Sequence, residues 1–568
     1  MTEAIKKSLR ESPKARWTAM VLVSLSAFGA YYFNYALSPV KPMLESALGW
    51  TSSDFGTYTS SYAWFNVYFF MLIFSGIILD KLGIRITGFG SALLMLLGTG
   101  LNYWAVVTDF PESAQVAIPL IGNLKTQVLY SSIGFAIFGV GTEASGITLT
   151  KAIVRWFKGK ELALAMGLQM SIARLGTALA LAVALPLAIN FNYSSPILWA
   201  FVLLFIGMIA FVMYIVLDLK LEKSEKDIEM EEEEPFRLRD IVSIIGNRGF
   251  WYIAILCVLF YSAVFPFLYY ATDFMINKYR VSPGLAGLIP SLLPFGTIFL
   301  TPLFGSIYDK KGKGATIMLI GAFMLIFVHG LLAVPFLDNW VFASAMVIIL
   351  GIAFSLVPSA MWPAVPKIIP EKRLGTAYAV IFWIQNIGLM LVPLLLGIVL
   401  DSTNPGVAGN KVLIRSSVEQ SYAQILENKD ITLNEDEMKD IVHGTTNLVI
   451  DSVVRTTYYQ EVLQSAVEVD EIENQMVQQS VQAVKNLNLS DDQVAALYQI
   501  QNAIKDKMYT IVENRKLNIR YNYQADILIF TFLGVLSLIV ALLLKREDKR
   551  KGYGLELPNI NEKKETQQ

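Results

Sequence analysis

Residues that carry catalysis, metal binding and disulfide cross-links are scarce in this chain of 568 residues. It contains one cysteine, Cys257, and two histidines, His329 and His443. A single cysteine excludes an intrachain disulfide, and the sequence lacks a cluster of metal ligands, an HExxH or GxSxG motif and a phosphate loop. The composition therefore disfavours hydrolytic and ATP-driven functions, and it predicts no metal site and no cofactor.

Charged residues are also few. Only 16% of the residues are Asp, Glu, Lys or Arg, and the formal net charge is −1. Because the chain has no general basic field, no nucleic-acid partner is predicted. By contrast, 54% of the residues are hydrophobic and the mean hydropathy is positive. These values are typical of a protein whose solvent is the lipid bilayer.

Apolar runs long enough to cross a bilayer, which needs about 20 residues each, number about twelve. They lie near residues 17–40, 58–79, 84–107, 128–153, 162–189, 196–217, 251–276, 284–307, 315–336, 340–361, 375–400 and 525–544. The polar remainder is an N-terminal tail (1–16), a linker (218–249), an insertion (401–524) and a C-terminal tail (545–568). The first apolar run is longer than the core of a cleavable signal, so it is interpreted as a retained helix.

These segments predict an all-α membrane protein with two six-helix bundles, 17–217 and 250–400 completed by 525–544. Basic residues occupy alternate connections, namely Lys81 and Arg85, Lys158 and Lys160, Lys310 to Lys313, and Lys372 and Arg373. Because basic loops stay in the cytoplasm, both termini are expected there. The insertion between helices 11 and 12 is then extracytoplasmic.

One pattern, Gly-x-x-x-Asp-Lys-x-Gly, occurs once in each half, in the segments 76–85 and 305–314. The first glycine should let helices approach closely, the aspartate should cap a helix or pair with a nearby cation, and the second glycine should permit a tight turn. An ion pair that forms in one conformation only would bias a carrier toward that state. The predicted conformational switch is Gly76, Asp80, Lys81, Gly83, Arg85, Gly305, Asp309, Lys310 and Gly312.

Two ionisable residues lie deep in predicted spans. Glu143 is 12 residues before Arg155, and Arg174 is 13 residues after Glu161. At a rise of about 1.5 Å per residue, both are roughly 18–20 Å from the cytoplasmic edge, near the midplane. They could form a structural ion pair. Alternatively they could clamp a zwitterion, with the carboxylate accepting an ammonium and the guanidinium binding a carboxylate.

Other candidates are polar or aromatic residues on spans that would face a cavity. The predicted substrate-binding set adds Tyr35, Asn66, Tyr261, Trp362, Gln385 and Asn386 to Glu143 and Arg174. Buried amides need hydrogen-bond partners, which makes the Asn and Gln members the better candidates. Lys41 and Asp273 close corresponding spans of the two halves on the outer side. They are predicted to pair as an outer gate, although both could be ordinary water-exposed termini.

The insertion shows helical patterns. The sequences Asn434–Glu437 and Ser490–Gln493 are typical of helix starts with capping boxes. After the second, an apolar stripe recurs near helical spacing, at Val494, Leu497, Ile504, Met508 and Ile511. A small helical bundle is favoured over a docking surface for another protein, which remains the alternative.

The repeated loops resemble the signature of the major facilitator superfamily. More narrowly, four segments resemble the family of major facilitator superfamily domain-containing protein 1, the lysosomal dipeptide carriers: Trp156–Gly167, Ala173–Gly176, Phe260–Phe267 and Met361–Pro366. The resemblance covers approximately residues 17–400 and the last span. It implies a monomeric carrier of short peptides that works by alternating access. It also implies that Glu143 and Arg174 grip the two ends of the peptide, whereas the insertion is outside the family pattern.

The sequence thus favours a secondary transporter of dipeptides or similar small zwitterions in a bacterial inner membrane, and not an enzyme. A carrier of organic acids or other small metabolites is the nearest alternative, with Arg174 binding a carboxylate and Glu143 taking a proton. A different class is a non-transporting receptor or scaffold that acts through the insertion.

Overall fold

A computed structural model describes residues 9–111, 114–118, 122–157, 160–224, 243–370, 373–429, 431–462 and 491–559. Several sequence predictions fall outside these residues: those for Lys158 and Lys372, for most of the linker, and for the capping box at Ser490.

The described part of the first half contains eight α-helices, preceded by a short 3-10 helix (Leu9–Glu11). They are α1 (Pro13–Ala36), α2 (Lys41–Leu48), α3 (Ser52–Ser61), α4 (Trp64–Tyr68), α5 (Met71–Val107), α6 (Thr126–Phe157), α7 (Leu162–Asn190) and α8 (Ser195–Ser224). Two short antiparallel strands precede α6, namely β1 (Gln115–Ile118) and β2 (Gly122–Lys125). This hairpin is the departure from the all-helical prediction in the described part of the first half.

The second half begins with α9 (Arg248–Asn277). It continues with α10 (Pro283–Ala286), α11 (Leu288–Lys311), α12 (Gly314–Leu332), α13 (Trp340–Ile368), α14 (Leu374–Thr403), α15 (Val407–Lys429), α16 (Glu435–Val462), α17 (Asp491–Asn514) and α18 (Gln524–Lys551). Helices α15 to α17 lie in the predicted insertion, and α18 is the last predicted span.

The helices account for the predicted spans. Ten are long and apolar enough to cross a membrane within the described residues, and α1 with α2 makes an eleventh candidate that is bent by 54°. Helix α5 contains two arms, because Gly83 interrupts it with φ 76° and ψ 175°. These arms correspond to the end of the second predicted span and to the third. The fold is the predicted all-α membrane architecture.

The second span is broken, although the sequence predicted a continuous helix over 58–79. The helix is interrupted at Tyr62 and Ala63, which keep right-handed helical dihedrals, and again at Phe70, whose φ is 52°. Hydroxyl groups before the first break bond to their own backbone: Ser60 Oγ to Thr57 O at 2.8 Å and Ser61 Oγ to Tyr58 O at 2.6 Å. Such bonds compete with the helical ladder, which explains why this apolar segment is discontinuous.

The two halves meet along two seams, where α3 packs on α14 and α7 packs on α11. At one end, which carries α15 to α17 and is called the insertion end, the halves touch closely. Ser52 N and Ser53 N donate to the Asp401 carboxylate at 3.0 and 2.7 Å. The opposite end carries the repeated loops around Asp80 and Asp309 and is called the loop end.

The insertion contains the predicted helices. Asn434 and Glu437 form a reciprocal capping box, with bonds of 2.9 and 2.8 Å between side chain and backbone. In α17 the predicted apolar stripe is confirmed, since Leu497, Ile504 and Met508 are buried. The three helices pack on one another, and α15 and α16 also rest on α2.

Candidate functional site

Close packing of α6 against neighbouring helices of the first half determines the position of Glu143. At Gly139 an added Cβ would lie 2.0 Å from the Tyr62 carbonyl oxygen, and at Gly141 it would lie 2.7 Å from Ser91 O. This contact brings the Tyr62 hydroxyl to Glu143 Oε1, to which it donates at 3.0 Å. Gly139 and Gly141 therefore allow α6 to pack closely, whereas Gly146 on the same helix faces open space among the described residues.

Arg174 on α7 points between the halves and lies among aromatic rings. Its guanidinium carbon is 4.7 Å from the ring centre of Phe354, 5.7 Å from Phe265 and 5.9 Å from Tyr31. Tyr31 belongs to the first half, whereas Phe265 and Phe354 belong to the second. Rings at such distances stabilise a cation by about 0.5–2 kcal/mol. The sequence reasoning did not single out Phe265 or Phe354, and their role follows from position on facing helices.

Glu143 and Arg174 do not pair with each other in the described part of the chain, where Glu143 has a phenol partner and Arg174 has rings. Both nevertheless lie on helices that pack on α1, namely α6 and α7, and the Tyr31 ring of α1 is 5.9 Å from the guanidinium carbon of Arg174. Neither side chain is fully buried. The structural ion pair that the sequence left open is therefore absent from the described residues in this conformation.

The other predicted residues divide into two groups. Asn386 lies beside Glu143, Tyr35 stacks on Tyr269 with ring centres 4.9 Å apart, and Trp362 Nε1 donates to the Tyr261 hydroxyl at 3.1 Å. Tyr261 in turn contacts Phe354, with ring centres 5.7 Å apart. Through Phe354, the rings of Tyr261 and Trp362 are therefore connected to the aromatic residues that surround Arg174.

Gln385 and Asn66 differ from that group. Gln385 Oε1 faces the Cys257 thiol at 3.4 Å, inside the second half. Successive helical residues are about 100° apart, so Gln385 turns away when its neighbour Asn386 faces Glu143. Asn66 is 1% exposed, and neither of its amide atoms has a hydrogen-bond partner among the described residues.

A contact across the halves lies one helical turn nearer the loop end. Trp383 Nε1 donates to Val67 O at 3.2 Å, and its ring stacks on Phe70 at 5.3 Å. Val67 lies just before the second break in the span, where its carbonyl is available to an outside donor. The broken helix and Trp383 therefore border the space around Glu143 on the loop side.

Lys41 and Asp273 are in contact, as predicted. Lys41 Nζ is 2.7 Å from Asp273 Oδ2, and both side chains are fully buried. The alternative of water-exposed termini is therefore wrong in this conformation. Lys41 also contacts Glu45 Oε1 at 2.6 Å, a partner that the sequence reasoning missed although it lies one turn further along α2.

The first repeated loop forms ion pairs within the first half. Asp80 accepts from Lys151 at 3.0 Å. Arg85 Nε donates to Asp218 Oδ2 at 2.6 Å, and Asp218, which the sequence reasoning missed, is fully buried. Gly83 makes the predicted tight turn, and Lys81 is exposed.

The second loop contacts the C-terminal tail. Asp309 Oδ1 accepts from Asn559 Nδ2 at 2.7 Å, Gly312 has φ 69° and Lys310 is exposed. The close approach predicted at Gly76 and Gly305 is not present. An added Cβ at either would meet no atom of the described residues within 4 Å.

Two membrane-embedded halves around a central polar and aromatic space define the class of secondary transporters. The family model of the Major Facilitator Superfamily matches residues 23–393, and this chain belongs to that superfamily. It is a multi-pass membrane transporter.

The narrower resemblance is also confirmed. The chain is 29% identical over 397 residues to the mouse protein named lysosomal dipeptide transporter MFSD1, covering 68% of this chain and 80% of that one. The chicken protein of the same name is 30% identical over 321 residues, covering 55% and 70%.

Solved structures show the same fold. A bacterial homologue of the human lysosomal transporter Spinster, inward-facing and unoccupied, aligns with a TM-score of 0.55 and 14% identity, covering 94% of this chain and 99% of that one. The nucleoside transporter NupG aligns with a TM-score of 0.50 and 16% identity, covering 70% of this chain and 96% of that one.

Proposed function

We propose that this protein carries dipeptides or similar small zwitterions across a membrane by alternating access. The observation that carries the proposal is the arrangement of Glu143 and Arg174, two opposite charges around one space that do not neutralise each other. The similarity to proteins named dipeptide transporters supports the same substrate class.

The chemistry follows from the two ends of a peptide. Glu143, held by Tyr62, accepts the substrate ammonium, and Arg174 forks onto the substrate carboxylate with two parallel hydrogen bonds. An extended dipeptide spans about 7 Å between these ends. Tyr261 and Phe354, whose ring centres are 5.7 Å apart, would offer aromatic faces to the apolar side chains of a substrate.

We propose that substrate access alternates between the insertion end and the loop end. In this conformation the Lys41–Asp273 pair and the Asp401 contacts hold the halves together at the insertion end, and we propose that Lys41 and Asp273 act as the outer gate. The repeated loops, through the contacts of Asp80, Arg85 and Asp309, would act as the conformational switch that biases the carrier toward one state. With the loop end cytoplasmic, this conformation is closed toward the outside.

The same proposal includes the membrane arrangement. Both termini are cytoplasmic, the bundles comprise 17–217 and 250–400 with 525–544, and the insertion at 401–524 is extracytoplasmic. A bacterial inner membrane and a monomeric carrier complete it. An additional protein partner at the insertion remains a hypothesis.

A second candidate is a carrier of organic acids. It is favoured by one observation: among the described residues Arg174 is in contact with aromatic rings and in no ion pair. In that case Arg174 alone would bind the substrate and Glu143 would be protonated.

Uptake into liposomes tests the proposal. The purified protein should take up a labelled dipeptide, and excess unlabelled free dipeptide should compete. A dipeptide with an acetylated amino end should compete poorly. Competition by simple carboxylates that equals competition by free dipeptides would transfer the assignment to organic acids.

A further inference from the structure

A second buried cation reaches the Lys41 cluster, and it comes from the insertion. Lys411, in the second turn of α15, donates to Glu45 Oε2 at 2.6 Å, while Glu45 Oε1 accepts from Lys41 at 2.6 Å. Glu45 thus bridges two ammonium groups. The four side chains Asp273, Lys41, Glu45 and Lys411, called here the gate cluster, are 0–3% exposed and alternate in sign.

The segment that leads back from the insertion completes this cluster. The Tyr521 ring lies 4.3 Å from Lys41 Nζ and 4.7 Å from Lys411 Nζ, so one ring faces both cations. The Tyr523 hydroxyl donates to Asp273 Oδ2. Cation–π contacts are strongest where water is excluded, as it is here.

The base of the insertion is fixed to the second half. It follows α14 and precedes α18 in the chain, and its two ends are joined by hydrogen bonds between Asn404 and Asn522 at 2.7 and 3.1 Å. Tyr521 N also donates to Asn277 Oδ1, on α9, at 3.0 Å. Lys411 should therefore move with the second half, so that its bond to Glu45 crosses between the halves.

The charges of the gate cluster are balanced on each side of that division. The first half supplies Lys41 and Glu45, and the second half with its insertion supplies Asp273 and Lys411. When the halves separate, each side keeps one positive and one negative charge, which makes the separation reversible. Loss of Lys411 would leave the closed cluster with one excess negative charge, a strongly unfavourable state for buried groups.

We infer that the insertion is part of the transport gate, and that Lys411 is a positioning residue that stabilises closure of the insertion end. Opening requires α15 to part from α2. This inference rests on the alternating access proposed above, but it does not depend on which substrate is carried.

Distances between spin labels test the inference without any substrate. Labels attached after Phe191→Cys in the first half and Phe336→Cys in the second would report separation at the insertion end, since these side chains are 64% and 81% exposed. The buried native thiol is removed by Cys257→Ser. In the background with Lys411 intact, the short distance of the closed gate should dominate.

The variant Lys411→Met should raise the ratio of long to short distances about tenfold or more, since breaking one partner of a buried pair is strongly destabilising. Lys411→Arg should restore most of the short population. The matched control is Lys439→Met, which removes another pair between the insertion and the first half, Lys439–Asp109 at 2.7 Å, whose side chains are 44% and 78% exposed. That control should leave the distances unchanged.

Identical distance distributions for Lys411→Met and for the protein with Lys411 intact would overturn the inference. If Lys411→Met fails to fold, Glu45→Gln should give the same shift, and its failure to do so would equally overturn it. Binding of a dipeptide is measured separately on the same samples. If none of the samples bound a dipeptide but the distances shifted as expected, the proposed substrate would be wrong and the gate inference would stand.

Discussion

At the scale of single residues, the sequence identified the two central charges but not their surroundings. Ionisable residues deep in apolar spans are rare, and this property distinguishes Glu143 and Arg174 in the sequence. Phe265 and Phe354 could not be selected in the same way, because phenylalanine is common in every span and its contact with Arg174 depends on how the halves face each other. Gln385 shows the same limit, since its helix rotation directs it to Cys257.

The hydroxyl of Tyr62 should tune the affinity for substrate. Tyr62→Phe removes the 3.0 Å hydrogen bond to Glu143, which leaves the carboxylate less well positioned for an ammonium. We expect dipeptide affinity to fall severalfold, corresponding to about 1 kcal/mol, in a direct binding titration. Tyr32→Phe is the control, because the Tyr32 hydroxyl has no partner among the described residues. Equal effects of both variants would contradict this role of Tyr62.

At the scale of elements, a glycine allows two helices to approach closely only where it faces the backbone of the other helix. Gly139→Ala places a methyl group against the Tyr62 carbonyl and should destabilise the protein by about 1–3 kcal/mol, the usual range for overpacking. Gly146→Ala, on the same helix, faces open space and should be nearly neutral. Thermal unfolding in detergent would compare them, and a Gly139→Ala protein as stable as Gly146→Ala would contradict the described packing of α6.

The contact between Trp383 and the broken second span should limit water access from the loop end. Trp383→Ala removes both the stacking on Phe70 and the bond to Val67 O. In a Cys257→Ser background, a thiol introduced by Asn66→Cys should then react faster with a water-soluble reagent. Trp340→Ala, which removes a tryptophan that is 57% exposed, is the control. Unchanged reactivity after Trp383→Ala would show that this contact does not close the space.

The insertion should respond to acid through His443 on α16. Burial, together with the nearby Arg415 and Lys439, lowers the pKa of His443 from 6.5 to about 4. Between these values the unfolded chain binds a proton that the folded protein does not, so stability falls as the pH falls from 6.5 toward 4. From pH 7 to pH 5 the loss is about 2 kcal/mol.

His443→Phe keeps a ring against Tyr193, which contacts His443 at 5.5 Å. In this variant the free energy of unfolding should no longer fall by the about 2 kcal/mol that His443 contributes between pH 7 and pH 5. Unfolding measured at a series of pH values would show it as a flatter curve. A variant that follows the same curve as the unsubstituted protein would contradict the burial of a neutral His443.

At the scale of the whole molecule, composition and segment length were sufficient to predict the architecture. The apolar runs, the repeated loops and the two polar interruptions predicted the helices and their order. The break at Phe70 was not predictable, because it accompanies a tertiary contact, the stacking of Phe70 on Trp383. Similarly, Lys41 and Asp273 could be paired by symmetry between the halves, whereas Lys411 could not. Its bond to Glu45 depends on how the insertion folds back.

The central claim is that Glu143 and Arg174 each recognise one end of a zwitterion. The most direct test is a binding titration of three ligands, a free dipeptide, its N-acetyl form and its C-amide, against the unsubstituted protein, Glu143→Gln and Arg174→Ala. Acetylation should weaken binding about tenfold or more in the unsubstituted protein but should have little effect in Glu143→Gln, and amidation should behave likewise with Arg174→Ala. If each variant remained sensitive to both blocked ends, the two residues would not bind the two termini and the account would be contradicted.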